Sequence, residues 1–295
     1  MRLAAEARTP HAQPVSQRWG RGHGPLVALR ATRPARPRDD LDGVEPHAAT
    51  RVLFPMIAPR YSLVIPFFNE AGNLGPLLGA AFAVLDGLQA EWEGVLVDDG
   101  STDGTAALLD SVALRRREVR VLHFPGNRGQ AAALLAGLQA ARGEIILTMD
   151  GDGQNDPRDY PAMLELMGRR GVDLVCGWRR DRNDSPLRRL MSRAANAISS
   201  RILRDGLHDN GSQMRVFRRD VIRALEPGPL MQSFLPAMAV AAGYRLAEIP
   251  VHHLPRRHGQ SKYGLHNLWW RPAWEMLKLR WRLRTVSRAR PTKVS

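Results

Sequence analysis

Short apolar runs alternate with longer stretches of helical spacing through the middle of this chain, and that alternation constrains its fold more than any other feature. The apolar runs cover residues 61–65, 95–97, 119–123, 145–149 and 173–176. The stretches with helical spacing cover residues 74–88, 105–114, 130–141 and 160–167. Strand, helix, strand order is typical of right-handed parallel βαβ units, and continuous apolar strands fit a sheet covered on both faces. We therefore predict an α/β fold, with a mostly parallel Rossmann-like sheet and helices on both faces.

The formal charge of +14 over 295 residues is concentrated in the two ends of the chain. Residues 56–249 carry as many basic as acidic side chains, whereas residues 1–55 have a surplus of four positive charges and residues 250–295 a surplus of ten. A basic end indicates an anionic partner, which is a nucleic acid, a phosphate-bearing ligand or a membrane surface. The single cysteine, Cys176, excludes an internal disulfide and a cysteine-based metal cluster.

Polar and acidic residues gather directly after three of the predicted strands. These clusters cover residues 66–70, 98–105 and 150–156. Their Asp, Gly, Ser and Asn residues are also ordinary turn residues, but all three clusters follow strands whose carboxyl ends meet at one edge of a parallel sheet. Ligands bind at that edge in open α/β sheets. The clusters therefore predict a ligand site there.

Two carboxylates and an amide oxygen in the third cluster suit a hard cation. Asp150, Asp152 and Gln154 offer oxygen ligands without cysteine or histidine, and such ligands select Mg²⁺ or Mn²⁺. A calcium loop of the EF-hand type would need glycine and glutamate where Asn155 and Pro161 stand. Two carboxylates alone bind Mg²⁺ weakly, and substrate phosphates usually complete the coordination shell. The cluster therefore indicates a nucleotide diphosphate as ligand.

The second cluster adds groups that suit a nucleotide. Asp98 and Asp99, at the end of the second predicted strand, are placed to accept hydrogen bonds from a base or a ribose. Neither a Walker A loop nor a GxGxxG motif follows a predicted strand. Kinase-type phosphate binding and dinucleotide binding are therefore poorly supported.

Taken in order, these motifs resemble those of family 2 glycosyltransferases of the GT-A fold. The matching motifs are Ile65-Pro66-x-x-Asn69-Glu70, Val97-Asp98-Asp99-Gly100-Ser101-x-Asp103-Gly104-Thr105 and Asp150-x-Asp152. Residues 253–264, HLPRRHGQSKYG, narrow the resemblance to the dolichol-phosphate mannosyltransferase type. The resemblance covers residues 61–264. It implies metal-dependent, inverting transfer of a hexose, mannose by default, from a nucleotide-diphosphate sugar (GDP-mannose or a UDP-hexose) to a polyprenyl phosphate.

The resemblance also implies roles for the matching positions. The donor nucleotide would be bound by Pro66, Phe68, Glu70, Val97, Asp99, Asp150, Gly151, Asp152, Arg179, Arg256 and Lys262. The divalent ion, Mg²⁺ or Mn²⁺, would be held by Asp150, Asp152 and Gln154. The acceptor phosphate would be received by Arg188 and Ser192. The catalytic residues would be Asp152, Arg179 and Asp209.

Some positions depart from the pattern of the resembled family. Phe68 stands where such proteins often have tyrosine, Gln213 replaces the usual small residue, and Gln232 with Ser233 stand where close relatives often carry His-Arg. Asp209 matches the acidic catalytic segment of the wider family. An acceptor phosphate is already ionised at neutral pH and needs little help from a general base. Asp209 therefore either orients arginine side chains or takes a proton, and the sequence leaves both roles open.

The C-terminal segment combines tryptophan with basic residues. Four of the seven tryptophans lie within thirteen residues: Trp269, Trp270, Trp274 and Trp281. This composition is typical of a segment in a membrane interface, and no apolar run approaches the roughly 20 residues that span a bilayer. We therefore predict a disordered basic extension over residues 1–55, a GT-A domain over residues 56–264, and a tail over residues 265–295. The tail would attach the chain peripherally to anionic lipids on the cytoplasmic face of a membrane, without a transmembrane helix.

The sequence leaves other functions open. The first alternative is a family 2 transferase that acts on a hydroxyl group of a glycan or lipid-linked acceptor, a reaction that needs a true general base. A nucleic-acid binder would explain the basic ends, but no recognised motif is present and the acidic clusters would repel phosphates, so we predict no nucleic-acid partner. The intact set of Asp150, Asp152 and Gln154 argues against a non-catalytic relative. A membrane-protein partner stays open.

Overall fold

The computed structural model describes residues 58–180, 200–201, 206–256 and 278–281 of the chain. Several sequence predictions fall outside these residues. They are the basic extension over residues 1–55, the acceptor residues Arg188 and Ser192, the donor residue Lys262, and all of the 265–295 tail except residues 278–281.

Seven strands and five α-helices have both of their ends within the described residues, and residues 200–201 and 278–281 are also helical. In chain order they are β1 (Tyr61–Phe67), α1 (Ala71–Gly87), β2 (Trp92–Asp98), α2 (Thr105–Arg115), β3 (Val119–His123), α3 (Gln130–Ala140), β4 (Ile145–Thr148), α4 (Tyr160–Arg170), β5 (Leu174–Trp178), β6 (Arg215–Arg218), α5 (Met231–Ala241) and β7 (Leu246–Pro250). Short 3-10 helices, Pro157–Asp159 and Arg219–Ala224, precede α4 and follow β6. The five predicted strands and four predicted helices are all present, whereas β6, α5 and β7 were not predicted.

The strands form one sheet in the order β3-β2-β1-β4-β6-β5-β7. All neighbouring strands pair in parallel except at β6, which is antiparallel to both β4 and β5. The prediction of a mostly parallel sheet is therefore confirmed. Because β6 runs the other way, its first residue, Arg215, lies beside Thr148 and Cys176, near the edge where the parallel strands end.

Two hydrophobic clusters cover the two faces of the sheet. One cluster joins α1, α2 and α4 to the face that carries Leu63, Ile65 and Phe67 of β1. The other joins α3 and α5 to the opposite face, which carries Val64. This alternation along β1 follows from the two-residue repeat of a strand, and both sets of side chains are buried. The predicted placement of helices on both faces is confirmed.

In the part of the chain that the structure describes, none of the helices combines the length and the hydropathy that a membrane-spanning helix needs.

A buried carboxylate, Glu93 on β2, fixes the turn between α3 and β4. It accepts hydrogen bonds from the Ser62 hydroxyl at 2.7 Å, from Arg120 Nη2 at 2.9 Å, and from both the main-chain N–H and Nε of Arg142 at 2.6 and 2.9 Å. Burial opposes its ionisation, but these hydrogen bonds outweigh burial and hold the pKa of Glu93 below its usual value of 4.5.

We expect Glu93→Gln to lower the free energy of unfolding by about 2–3 kcal/mol at pH 7, because hydrogen bonds to a buried charged group are lost. A lowered folded-state pKa means that the carboxylate stabilises the fold above its unfolded pKa and loses that effect as the pH falls through its folded pKa. The difference between the two proteins should therefore shrink below about pH 4.5. Urea unfolding across pH 3–8 measures this. Glu165→Gln, at an exposed Arg169 pair, is the control and should change little at any pH.

Candidate active site

A cavity of about 380 Å³ lies at the edge of the sheet where β1, β2 and β4 end. Its walls are formed by Pro66, Phe67, Phe68, Glu70, Asp99, Asn127, Gln130, Asp150, Gly151, Asp152 and Arg256. All three polar clusters that follow predicted strands contribute to it. This is the arrangement expected at the carboxyl ends of parallel strands.

The loops after β1 and β2 are joined by hydrogen bonds between side chains and main chain. The Asn69 carboxamide accepts from the Thr102 N–H at 2.7 Å, and the Asn69 N–H donates to the Ser101 hydroxyl at 3.0 Å. The Glu70 N–H donates to the Thr105 hydroxyl at 3.0 Å. Polar residues of these two motifs therefore bond one loop to the other, and one of these bonds fixes the main chain at Glu70, which lines the cavity.

The buried carboxylate of Asp99 holds the loop between β3 and α3. Its two oxygens accept hydrogen bonds from the N–H groups of Arg128 at 2.7 Å and Gly129 at 2.9 Å. This anchoring presents Asn127 and Gln130 to the cavity. Sequence reasoning missed both residues because their segment carries no acidic cluster, although it follows a predicted strand at the same edge.

Asp150 is the carboxylate in the most perturbed environment of the site. The Gln130 amide donates to its Oδ1 at 2.5 Å. Burial raises the pKa of Asp150 to about 7, and the negative charge of Asp152 adds to the rise, whereas Arg179 and Arg215 act against it. Asp150 is only partly exposed at the cavity wall, and an acid in such a position beside a second acid ionises readily only when a cation compensates the charge.

The glycine between these acids has no room for a side chain. A Cβ atom at Gly151 would lie 2.6 Å from the Phe67 ring and 2.9 Å from the carbonyl oxygen of Pro66. The close approach of the two loops therefore requires glycine, and it sets Asp150 and Asp152 against the end of β1.

Asp152, Gln154 and Arg256 meet in one cluster. Arg256 Nη2 lies 2.5 Å from Asp152 Oδ2 and 3.4 Å from Gln154 Oε1. The loop itself is closed by the Gln154 N–H, which donates to Asp152 Oδ1 at 3.1 Å. The structure thus brings residues about a hundred positions apart in the chain into direct contact.

Arg179 and Asp209 form a bidentate ion pair. Arg179 Nε donates to Asp209 Oδ2 at 2.7 Å, and Nη2 donates to Oδ1 at 2.9 Å. The N–H groups of Arg179 and Gly211 also donate to this carboxylate. Both Asp209 oxygens therefore accept hydrogen bonds from fixed donors, an arrangement that orients Arg179 and leaves little room for proton transfer to Asp209.

The cavity contains most of the described residues that were predicted to bind the donor. Those that line it are Pro66, Phe68, Glu70, Asp99, Asp150, Gly151, Asp152 and Arg256. Val97 does not line it, because its side chain is fully buried and points toward Gly137 of α3. Gln154 is not part of the wall but contacts Arg256, which is, and Arg179 is absent from the wall and pairs with Asp209.

The described part of the chain brings at most two potential metal-binding His, Cys, Asp or Glu side chains together in an arrangement that could hold an ion. No group of three or more His, Cys, Asp and Glu side chains is close enough there to hold a metal ion. Four carboxylates line the cavity. Asp150 and Asp152 come from one loop, Glu70 follows β1, and Asp99 is hydrogen-bonded to the β3–α3 loop.

A sequence comparison decides the family. The model described as Glycosyl transferase family 2 matches residues 62–226, which run from the second residue of β1 to beyond β6 and include the whole acidic edge of the sheet. The chain belongs to glycosyl transferase family 2. Family 2 membership agrees with the resemblance drawn from the motifs, and it makes the cavity the candidate active site of a glycosyltransferase.

Curated family 2 relatives share the central part of the chain. The dodecaprenyl-phosphate galacturonate synthase of Rhizobium johnstonii is 41% identical over 217 residues, which are 72% of this chain and 64% of that protein. The undecaprenyl-phosphate 4-deoxy-4-formamido-L-arabinose transferase of Edwardsiella ictaluri is 39% identical over 209 residues, or 70% and 64% of the two chains. The chain thus matches less than two thirds of the length of either relative.

Solved structures of glycosyltransferases share the fold. Glucosyl-3-phosphoglycerate synthase from Mycobacterium tuberculosis, in complex with Mn²⁺, UDP and glucosyl-3-phosphoglycerate, matches with a TM-score of 0.54 and 17% identity over 80% of this chain and 82% of that one. A mannosyltransferase from Pyrobaculum calidifontis, in complex with GDP-Man and Mn²⁺, matches with a TM-score of 0.50 and 22% identity over 82% and 67%. At these identities the likeness shows the fold alone.

Proposed function

We propose that this family 2 glycosyltransferase moves a sugar from a nucleotide-diphosphate donor to a polyprenyl phosphate, with inversion at the anomeric carbon. The observation that carries the proposal is the meeting of Asp150, Asp152 and Arg256 in one cavity. Support for the acceptor comes from the two curated relatives, whose names state dodecaprenyl phosphate and undecaprenyl phosphate.

The donor side of the cavity fits a divalent cation, Mg²⁺ or Mn²⁺. Carboxylate oxygens of Asp150 and Asp152 and the amide oxygen of Gln154 are hard ligands, and donor phosphates would supply the others. The raised pKa of Asp150, about 7, belongs to an acid pair that a bound cation would relieve. The ion would stabilise negative charge on the leaving diphosphate. Two structurally similar transferases hold Mn²⁺ in their complexes.

Arginine side chains supply fixed positive charge to the same reaction. Arg256 reaches into the cavity beside Asp152, where it would contact the donor diphosphate once that group is bound, and Lys262 would add a second cation. Positive groups aimed at a developing negative charge lower the barrier most when they are held in place beforehand. We assign Arg256 this role because its guanidinium already lies at the acidic edge.

The acceptor phosphate needs orientation more than proton removal. Its oxygen is ionised at neutral pH and can attack the anomeric carbon directly, so the lipid phosphate becomes the new substituent as the nucleotide diphosphate leaves. Asp209 then serves to hold Arg179 through the bidentate pair. Arg188 and Ser192 stay our predicted contacts for the acceptor phosphate.

The proposal leaves the identity of the donor sugar to be determined. The motif resemblance gives mannose as the default, whereas the curated relatives are named for galacturonate and 4-deoxy-4-formamido-L-arabinose. Incubating the full chain with polyprenyl phosphate, Mn²⁺ or Mg²⁺ and a panel of radiolabelled nucleotide sugars tests both class and donor. We expect label in an organic-extractable lipid that mild acid hydrolyses. Label found only in acid-stable glycan, or none in lipid with any donor, would contradict the proposal.

Attachment to a membrane surface on the cytoplasmic side is the second part of the proposal. In the short described piece of the tail, Leu279 is buried with Met231 and Leu235 of α5, whereas Trp281 is 71% exposed. Leu279 thus packs this piece against the domain, and Trp281 exposes its indole to solvent. Tryptophan beside basic residues favours the interface of an anionic bilayer, where a polyprenyl phosphate would be found.

We expect the full-length protein to co-sediment with vesicles that contain anionic lipid at low salt, and Trp281→Ala to reduce the bound fraction about fivefold, because an exposed indole no longer enters the interface. Leu114→Ala is the matched control. Leu114 is 88% exposed on α2, so its loss removes apolar surface away from the tail and should leave binding unchanged. Equal binding by wild type and Trp281→Ala would rule out this contact.

A further inference from the structure

A carboxylate that belongs to none of the sequence motifs bonds to the segment that carries Asp209. Glu248 stands in the middle of β7, opposite Cys176 of β5, and its side chain is 11% exposed. The segment itself, residues 206–214, forms neither helix nor strand before β6 begins. Because such a segment has no regular ladder of main-chain hydrogen bonds, individual bonds to other elements fix its place.

Three N–H groups of this segment donate to the Glu248 carboxylate. The main-chain nitrogen of His208 lies 3.1 Å from Oε1 and 3.2 Å from Oε2, and that of Asp209 lies 3.2 Å from Oε1. The ring nitrogen Nδ1 of His208 lies 2.7 Å from Oε2. Since a carboxylate only accepts hydrogen bonds, Nδ1 carries the proton in this contact. One side chain of β7 thus holds two consecutive residues of the segment.

The ring contact and the main-chain contacts differ in their exposure to water. The His208 side chain is 66% exposed, so water can replace the carboxylate at Nδ1. Its ring also stacks on the Trp178 ring, with centroids 4.7 Å apart. Asp209, in contrast, is a buried residue, and a main-chain N–H that loses its acceptor in such a place is costly. The main-chain bonds are therefore the part of the contact that fixes the segment.

A shift of this segment would reach Arg179 directly. Asp209 binds both Nε and Nη2 of the Arg179 guanidinium. The main chain of Gly211 also lies close to it, because a Cβ atom at Gly211 would be 2.7 Å from Arg179 Nη2. The Gly211 N–H donates to Asp209 Oδ1 at 3.1 Å. The guanidinium thus lies against two residues of the segment that Glu248 holds.

We propose that Glu248 is a positioning residue: its hydrogen bonds to the main chain of His208 and Asp209 place the Asp209 carboxylate, and with it the Arg179 guanidinium, for sugar transfer. Each link in this route is a direct hydrogen bond. A charged group held in place before the reaction lowers the barrier more than a mobile one does. The kinetic part of this inference rests on the proposed function, whereas the placement of Arg179 by Glu248 does not.

Two substitutions separate the main-chain bonds from the ring contact. Glu248→Gln keeps the shape of the side chain but leaves one acceptor oxygen, and the introduced amide nitrogen faces N–H donors. His208→Phe removes Nδ1, keeps a ring that can stack on Trp178, and leaves the main-chain bonds in place. Glu93→Gln is the matched control. It makes the same change at a buried carboxylate that also accepts a main-chain N–H, near the start of β2 and away from the cavity.

Turnover of the full chain with polyprenyl phosphate and the nucleotide sugar that labels lipid gives the kinetic readout. We expect kcat to fall about tenfold in Glu248→Gln, because Asp209 keeps its bonds to Arg179 and loses only the fixed placement of its main chain. The donor KM should change less than about threefold, and His208→Phe and Glu93→Gln should keep kcat within about threefold of wild type. Wild-type kcat in folded Glu248→Gln would overturn the inference, as would an equal loss in His208→Phe or Glu93→Gln.

A double-mutant cycle tests the route through Asp209. If Glu248 acts by placing the Asp209 carboxylate, adding Glu248→Gln to Asp209→Asn should lower kcat no more than about threefold beyond Asp209→Asn alone. Losses that multiply in full would show that the two residues act independently and would overturn the inference.

A spectroscopic readout works without turnover. In protein with isotope-labelled arginine, the Nε–H resonance of Arg179 is assigned by its loss in Arg179→Lys. This N–H donates to Asp209 at 2.7 Å, and its exchange with solvent should be about tenfold faster in Glu248→Gln and unchanged in Glu93→Gln. Unchanged exchange in folded Glu248→Gln would overturn the inference. If wild type transfers no sugar to lipid with any donor, the proposed function fails, and this exchange rate still decides whether Glu248 places Arg179.

Discussion

Replacing Asp152 with asparagine is expected to reduce sugar transfer about 1000-fold, the loss that follows when a key stabiliser of transition-state charge is removed. Asp152 lines the cavity and binds Arg256 Nη2 at 2.5 Å. Without this carboxylate the cavity would lose one of the ligands that we propose for the divalent ion, together with the acceptor that binds Arg256 at the shortest distance. Initial rates of label transfer to polyprenyl phosphate measure the effect, and Mn²⁺ binding followed by electron paramagnetic resonance should weaken in parallel.

Asp156→Asn is the matched control for this experiment. Asp156 belongs to the same loop, but its carboxylate binds Arg158 at 2.6 Å and is absent from the described wall of the cavity. Its substitution should keep transfer within about threefold of wild type, even where stability falls. Equal losses in the two variants would mean that the loop, rather than the Asp152 carboxylate, is what transfer requires.

Replacing Asp209 with asparagine is expected to lower kcat about 100-fold, the effect of displacing a reacting or binding group by about 1 Å. The bidentate pair positions Arg179, and the amide of asparagine cannot accept from both guanidinium nitrogens. The size of the loss in kcat distinguishes a phosphate acceptor from a hydroxyl acceptor. A hydroxyl acceptor would need Asp209 as general base, and losing that base as well would bring the total loss to about 10,000-fold or more.

Rates with polyprenyl phosphate, at saturating donor and over a range of pH, measure this prediction. Asp173→Asn is a suitable control, because Asp173 also contacts arginine side chains, Arg218 and Arg245, but lies at the opposite end of β5 from Arg179. It should leave kcat close to wild type. A 10,000-fold loss in Asp209→Asn alone would favour the hydroxyl-acceptor reaction over the one proposed here.

Local sequence patterns predicted the parallel half of the fold and much of the cavity. The runs that became β1 to β5 are apolar over several consecutive residues, because strands covered on both faces bury both sets of side chains. Asp99, Asp150 and Asp152 were placed at one edge, because the carboxyl ends of parallel strands meet there. These inferences depend on order along the chain and not on long-range contacts.

Other site features needed the folded chain. Gln130 has no acidic residue near it in the sequence that would indicate a site. It donates a hydrogen bond to Asp150 because Asp99 binds the β3–α3 loop and so places Gln130 at the cavity. Val97 matched a motif but is buried toward Gly137. A motif shows which residues accompany a site, whereas the direction of each side chain depends on the register of its strand.

The sequence by itself determined the α/β layers, the family resemblance and the edge of the sheet that carries the acids, since hydrophobic period and turn residues are local properties. The tertiary structure alone decided how the charges pair. The β6 segment, Arg-Val-Phe-Arg, shows no long apolar run, and only its antiparallel insertion between β4 and β5 buries Arg215 beside Thr148 and Cys176. Pairing between strands and charges distant in sequence depends on the closed sheet, and no local pattern encodes it.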